Sequence, residues 1–533
     1  MSINESYAVP LDGGSTGVVT AGAPVGTFAI DSRAIGQFLV ERARLAFWSL
    51  IGLNAFVATA APMLGFVTLP RDTLEGFIWG RTFQWGFSKH PPLQAWILGL
   101  SEWLAPAAPW LAYVYAQLCV ALTLWAVWQL GRAVLGEVQG LIAALLTLVG
   151  VHYYGPPMAT FTPDTLSAPL WALAGLTWWR AVVQERPRAW YGFALVVALS
   201  IYAKYVVLLL VGVLGLFTVA TPRGREALKR PEPWIAGLIC LGLVAPHLNW
   251  VFETSFSTLG YAFSHGEKAN SIIIRLYFCL TFLSAQVVQH AMLIVLLALT
   301  VGFGRLKPKS ELVVEGRLVP RFEQAAILAM ALAPLMIALV VNFAVGGEFR
   351  QGRGTALFAF SAIAVLMLIG PRLELGRLKL AGAIGLGLIV LLPFANAFHH
   401  HARLAMGAGV VPTLYPAAPL AEELTSRWHA ETDRPLRVVV GDRWHAGNIA
   451  FYSADRPLIL LDGDSRQAPW VSDAMLARRG GLIVWQPEDR EAFARLRQRF
   501  PDLKAQGTVS APSPLSFGPV TTLAYAILLP EAP

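Results

Sequence analysis

The chain has 533 residues, of which 56% are apolar and only 14% charged, and its mean hydropathy is +0.55. A soluble domain carries roughly 25% charged residues, so this composition excludes a plain cytosolic enzyme and points to a polytopic α-helical membrane protein. The net charge of +8 sits entirely in residues 1–397, with 27 Lys/Arg against 19 Asp/Glu, while residues 398–533 hold 14 of each; basic loops kept on the cytoplasmic side explain this without a nucleic-acid partner.

Residues 1–30 are rich in small residues and contain no Lys or Arg. They lack the basic start of a secretory signal and read as a disordered tail, followed by a polar helix at Asp31–Arg44. Eleven apolar segments then read as spans: 45–67, 110–130, 138–155, 164–180, 189–203, 205–220, 232–250, 283–303, 323–344, 354–371 and 380–397. Two further stretches, 93–105 and 272–282, read as interfacial helices or short spans, so the count is eleven to thirteen. Cys119, Cys240 and Cys279 each lie in an apolar run and form neither a disulfide framework nor a metal-ligand spacing.

Sidedness follows from Lys and Arg. With the N-terminus inside, alternate loops hold sixteen basic residues, among them Arg186, Arg223 and Lys307, against eight in the opposite loops. This divides the chain into a cytoplasmic tail (1–44), a transmembrane domain (45–397) and an outer α/β domain (398–533), periplasmic if the cell is Gram-negative. The last part is charge- and turn-rich. Strands are expected at Leu436–Gly441, Pro457–Leu461, Gly481–Trp485 and Val520–Leu529, and helices near Pro419–Ala430 and Glu488–Phe500. His399–His401 at its start reads as a solvated juncture rather than a metal site.

Acids close to a bilayer are costly and usually functional. On the outer side these are Asp72, Glu75, Asp164, Glu253, Glu267 and Glu348. Asp72 and Glu75 are three apart and share a helix face, but the same spacing also makes a capping box. Thr162-Pro163-Asp164 reads as a well-made helix start, with Thr162 capping and Pro163 at the first helical position. Lys204 interrupts an apolar stretch, either reaching for the interface or meeting an anion. In the loop 346–354, Arg350 and Arg353 stand among four glycines and suit a phosphate.

An acid pair in the first outer loop, then His-Pro-Pro-Leu (90–93), Thr-Pro-Asp (162–164), Lys-Tyr (204–205) and Pro-His-Leu-Asn-Trp (246–250) resembles the membrane glycosyltransferases of the GT-C type. The resemblance covers about residues 45–400 and is nearest to the bacterial branch of glycosyltransferase family 39, which is similar to protein O-mannosyltransferases and the lipid A aminoarabinose transferase. It implies a GT-C-like membrane fold and inverting transfer of a sugar from a polyprenyl-phosphate carrier to a lipid, glycan or protein acceptor on the outer face. The family's catalytic acid carries onto Asp72 with Glu75 beside it, the acid of Thr-Pro-Asp onto Asp164, and the residue before Pro-Pro onto His90. This sequence departs from the family in one respect: its two loop-one acids are separated by Thr73-Leu74 rather than adjacent.

The residue types suit that chemistry. A carboxylate makes the acceptor hydroxyl nucleophilic. The leaving phosphate needs positive charge, for which His90, Lys204, Arg350 and Arg353 are the candidates. A divalent metal between Asp72, Glu75 and Asp164 is possible but not demanded. The competing reading is a secondary transporter or lipid flippase, which the absence of an internal repeat disfavours.

Overall fold

The computed structural model describes residues 32–533 apart from 107, 151–158, 265–268, 270, 303–312, 315–316, 347–355, 370–374, 408, 516–517 and 532–533. The expected tail at 1–30, and Glu267, Glu348, Arg350 and Arg353, lie outside the described residues.

The membrane part is helical among the described residues except for one short strand pair. In chain order it comprises α1 (Ser32–Gly65), α2 (Arg71–Gly80), α3 (Leu93–Leu104), α4 (Leu111–Leu135), α5 (Glu137–Gly150), α6 (Pro163–Trp178), α7 (Ala189–Ala203), α8 (Val207–Ala220), α9 (Pro222–Leu228) and α10 (Glu232–Glu253). It continues with α11 (Ser257–Ser264), α12 (Ile272–Val301), the two-residue strands β1 (Val313–Val314) and β2 (Arg317–Leu318), α13 (Arg321–Val345), α14 (Ser361–Ile369) and α15 (Leu375–Ala405). α6 ends in a π-helical turn, Trp179–Val183.

All eleven expected segments contain helix, but length sorts them. Among the described residues, six helices are long and apolar enough to cross a bilayer alone, or seven if the 99° bent pair α8–α9 counts as one span. α4, with 25 residues, is about 37 Å long at 1.5 Å per residue and exceeds the ~30 Å hydrocarbon core. α5, α7 and α14 are apolar but shorter. Two boundaries differ from expectation. The polar segment before residue 45 and the first span are one helix, and 272–282 is the opening of α12 rather than a separate element. Exposed Leu216, Leu238, Ile273, Val340 and Leu391 cannot all face water, and lipid is the solvent that accepts them.

The C-terminal region is a five-stranded mixed sheet flanked by helices. Its elements are α16 (Ala417–Glu431), β3 (Val438–Gly441), α17 (His445–Tyr452), β4 (Leu458–Leu461), α18 (Asp473–Arg479), β5 (Gly481–Trp485), α19 (Arg490–Arg499), β6 (Gly507–Ala511) and β7 (Thr521–Leu528). The strand order is β4-β3-β5-β7-β6, with β3 parallel to β4 and β5, and β7 antiparallel to β5 and β6. β3 and β5 are buried along their whole length, as their Val- and Ile-rich sequences require. β6, α17 and α18 were not among the expected elements. α15 runs past the expected end of its span at 397, so His399–His401 are helical, and His401 Nε2 lies 2.6 Å from the Gly65 carbonyl.

One apolar cluster joins the two parts. It runs from Leu69, Leu74, Phe77 and Ile78 through Tyr113, Phe161 and Leu166 into the sheet at Val438–Val440 and Leu482–Val484. The short helix α2 makes this possible because its ten residues present three faces. Leu74, Phe77 and Ile78 meet α17, with Phe77 5.1 Å from Phe451 between ring centroids. Gly76 and Gly80 meet α3. Asp72 and Glu75 take the third face. Polar ties reinforce the docking. Thr68 Oγ1 donates to Tyr452 Oη (2.9 Å), and Arg81 grips Glu102 while donating to the carbonyls of Ala450 (3.0 Å) and Pro457 (3.2 Å).

α2 and α3 touch backbone to backbone. A Cβ on Gly80 would lie 2.3 Å from the Ala95 carbonyl oxygen, and one on Gly99 2.2 Å from that of Gly80. Gly99→Ala should therefore push α2 off α3, at about 1–3 kcal/mol for overpacking, and displace the acids α2 carries. Gly52→Ala, whose Cβ meets nothing within 4 Å, should be tolerated. Thermal unfolding in detergent checks the pair, and equal melting temperatures would show that the α2–α3 contact yields freely.

Candidate active site

The site lies where α2, the α2–α3 loop and the starts of α6 and α8 meet beneath the C-terminal sheet. α2 begins after Pro70, which makes no side-chain cap, so Asp72 is in the first turn and the capping box does not form. Both carboxylates turn instead to Lys89. Its Nζ donates to Asp72 Oδ1 at 2.7 Å and to Glu75 Oε2 at 2.6 Å. Glu75 is 7% exposed and locked in place, whereas the Asp72 side chain keeps 45% of its surface open.

The second acid is built as its sequence implies. Thr162 accepts a hydrogen bond from the Thr165 N–H (3.2 Å), Pro163 occupies the first turn and Asp164 follows. Asp164 pairs with Lys204, which stands at the extended break between α7 and α8. Lys204 therefore meets an anion rather than reaching past the helix end.

Backbone ties hold the two pairs together. Gln94 donates to the carbonyls of Asp72 (3.0 Å) and Phe161 (2.9 Å), and Thr73 Oγ1 donates to the same Phe161 carbonyl (3.2 Å). The start of α2 is thus stapled to the turn that launches α6, and Lys204 acts electrostatically on Asp72. The motif at 246–250 supports the rim. His247 is buried, with Nε2 2.8 Å from Tyr205 Oη and Nδ1 2.7 Å from the Trp85 carbonyl.

The electrostatics separate the groups. Partial burial works against ionised Asp72, but Lys89 outweighs it, and the carboxyl lies below its ordinary range. For Glu75 burial wins over Lys89, and its carboxyl is raised. Burial would depress Lys89, yet the two carboxylates prevail and raise it. His90 is pressed down to about 3 by burial and by Lys89 and Lys204. As a neutral imidazole it offers hydrogen bonds rather than charge.

The structure thus brings together Asp72, Glu75, His90, Asp164 and Lys204, while Arg350 and Arg353 lie outside the described residues. Lys89 was not among the candidate site residues, although it stands beside His90 on the basic loop that follows the acids. Nor was Arg443 of the C-terminal region, which reaches Ser88 and Tyr261 and had no local signal at all. The donor set does not suit a divalent ion: Lys89 occupies the position between Asp72 and Glu75 that a cation would take, and no three metal-ligating side chains converge among the described residues.

Residues 89–250 match the family model of dolichyl-phosphate-mannose-protein mannosyltransferases. That range takes in Lys89, His90, Asp164, Lys204 and His247 but not Asp72 or Glu75. No curated protein sequence matches the chain. Among solved structures, ArnT from Cupriavidus metallidurans bound to undecaprenyl phosphate matches with a TM-score of 0.54 at 15% identity, over 90% of this chain and 97% of that one. The fold is of the GT-C type. The apo form of the same ArnT gives 0.47 at 13% identity over 92% and 98% of the two chains. The Archaeoglobus fulgidus oligosaccharyltransferase in complex with zinc and sulfate gives 0.41 at 12% over 89% and 72%. The GT-C resemblance carried by the sequence motifs is borne out by the family model and the ArnT fold.

The pairing has a pH signature. Replacing Lys89 by Met leaves burial largely unopposed at both acids, so both carboxyls then lie above their ordinary range. Groups raised in the folded state favour folding while protonated and oppose it once pH passes their ordinary value. Lys89→Met should therefore be destabilised by about 1–3 kcal/mol at pH 7, discounted from a fully buried pair because Asp72 is half open, and markedly less at pH 4. Melting temperature against pH measures this; a deficit equal at both pH values would assign Lys89 a packing role instead.

Proposed function

We propose that the protein is an integral membrane glycosyltransferase that moves a sugar from a polyprenyl-phosphate carrier to a hydroxyl of an envelope lipid, glycan or protein. The observation that carries this reading is the convergence, at one end of a GT-C-type fold, of a half-open carboxylate with two lysines held by acids. The match to a mannosyltransferase family model supports sugar transfer. The undecaprenyl phosphate named for the ArnT structure supports a polyprenyl carrier.

In this reading Asp72 is the general base. It is the acid with an open face and a depressed pKa, so it is ionised and reachable, whereas Glu75 is enclosed. The acceptor oxygen attacks the anomeric carbon and its proton passes to Asp72. The bond to the carrier phosphate breaks, and the electron pair leaves with the phosphate. One displacement inverts the anomeric centre and needs no carboxylate nucleophile. Glu75 holds Lys89 against Asp72, and Asp164 holds Lys204. Lys204, Arg350 and Arg353 attend the phosphate, and His90 supplies a hydrogen bond. The Lys/Arg distribution supports placing the site on the periplasmic face of a bacterial inner membrane, with residues 1–44 inside and 398–533 outside.

Asp72→Asn keeps shape and hydrogen-bonding capacity but removes the base. Transfer should fall by at least about 100-fold, the low end for general-base loss, at normal membrane levels. Mass spectrometry of envelope lipids and glycoproteins from cells with wild-type or variant protein reads the outcome. Activity within threefold of wild type would falsify the assignment.

A further inference from the structure

The C-terminal region contributes a side chain to the site. β3 lies between β4 and β5, so its carboxyl end is where the strand order reverses. The crevice outside such strand ends is the usual ligand position of parallel α/β sheets. Gly441 ends β3 with φ +155° and a Cβ direction that would meet the Val484 carbonyl oxygen at 2.4 Å, so only glycine makes this exit from the sheet. Of the next three residues, Arg443 reaches the α2–α3 loop and Trp444 the start of α2.

They are held rigidly. Asp442 accepts from the N–H groups of Trp444 (2.7 Å) and His445 (3.0 Å), and its other oxygen lies 2.6 Å from His445 Nδ1. Trp444 packs under the Arg71 guanidinium at 5.3 Å. Arg443, between them, extends into the site. Its NH2 lies 3.4 Å from Ser88 Oγ, and its guanidinium sits 5.7 Å over the Tyr261 ring. It shares a small cleft with Glu75, Trp79, Leu461 and Trp470, and lies close enough to act electrostatically on Glu75 and His90.

Arg443 acts on the carboxyls of Glu75 and Asp462 but is in direct contact with neither. Lys89 is taken by two carboxylates and Lys204 by a third. Among the described residues no carboxylate forms an ion pair with Arg443, and its one hydrogen bond, to Ser88, is long. Among the described residues, both lysines of the cluster are thus engaged by its own acids. During transfer the carrier phosphate gains a negative charge as the sugar leaves, so the site needs an uncompensated cation there. A guanidinium over an aromatic ring, engaged by one long hydrogen bond, is the right shape for it.

We propose that Arg443, carried by the C-terminal region, binds the phosphate of the polyprenyl carrier. This rests on the glycosyltransferase reading and adds to it that the sheet region completes the donor site rather than only covering it.

The test uses the full-length protein in detergent, with farnesyl phosphate and farnesol as probes. Wild type should bind the phosphate more tightly than the alcohol. Arg443→Ala should weaken farnesyl phosphate binding about tenfold or more and leave farnesol binding unchanged, and Arg443→Gln, which keeps a polar side chain without the charge, should do the same. Arg443→Lys should recover only part. Unchanged melting temperatures separate this from unfolding, since Arg443 makes few contacts. If both neutral variants bind farnesyl phosphate within twofold of wild type, Arg443 is not a phosphate ligand, and the rest of the site stands. If wild type itself does not distinguish phosphate from alcohol, the carrier reading falls with it.

Discussion

An acid at the edge of a membrane-embedded core is costly without a cation beside it, and this protein sets a lysine against each of three acids. Lys89 serves Asp72 and Glu75, and Lys204 serves Asp164. Each lysine comes from a different chain segment than its acid, Lys89 from the loop after α2 and Lys204 from the break after α7. Gln94 and Thr73 then fix the two pairs relative to each other through backbone carbonyls, which cannot move without moving whole helices. The close approach of Gly80 and Gly99 brings Gln94 within reach of the start of α2.

Features set by neighbouring residues were legible in the sequence. Thr162-Pro163-Asp164 forms the helix start its chemistry implies, and the strands at 438–441, 458–461, 481–485 and 521–528 sit inside their apolar runs. Features set by distant partners were not. Asp72-x-x-Glu75 fits a capping box, but Lys89 offers both acids a stronger partner than backbone N–H groups, and the helix starts at Arg71 without a side-chain cap. β6 was missed because its sequence, Gly-Thr-Val-Ser-Ala, alternates exposed and buried positions with little apolar contrast. Arg443 could not be found from sequence, because its contact with Ser88 spans 355 residues and is created by the docking of α17 on α2. The short helices α5, α7 and α14 are apolar like the longer ones but, among the described residues, fall below the length of a helix that crosses alone.

The C-terminal sheet region and the first loop share one apolar cluster, so neither has a complete core without the other. Arg81 makes the coupling specific, bonding to Glu102 beneath and to two carbonyls above. A site roofed this way is shielded from bulk water on the side of the sheet, which strengthens each charge inside it. The same shielding explains why Glu75 is raised while Asp72, three residues earlier and more open, is lowered. One helical turn of α2 therefore holds two carboxyls whose pKa values are driven apart by their surroundings.

Under the proposed chemistry, proton transfer changes the charge balance around the shared lysine. Before transfer, Lys89 is compensated by Asp72 and by Glu75 insofar as it is ionised. When Asp72 takes the acceptor's proton it stops neutralising Lys89, and the ammonium becomes a less compensated cation at the moment the departing phosphate gains negative charge. Negative charge thus moves from Asp72 to the phosphate while the cations stay in place. No side chain has to travel, so the change costs little reorganisation, the condition under which fixed charges contribute most to a reaction. An acid with a lysine of its own would give the same depressed pKa. An acid that shares its lysine with an enclosed, raised neighbour also leaves that lysine held in position once the proton has moved.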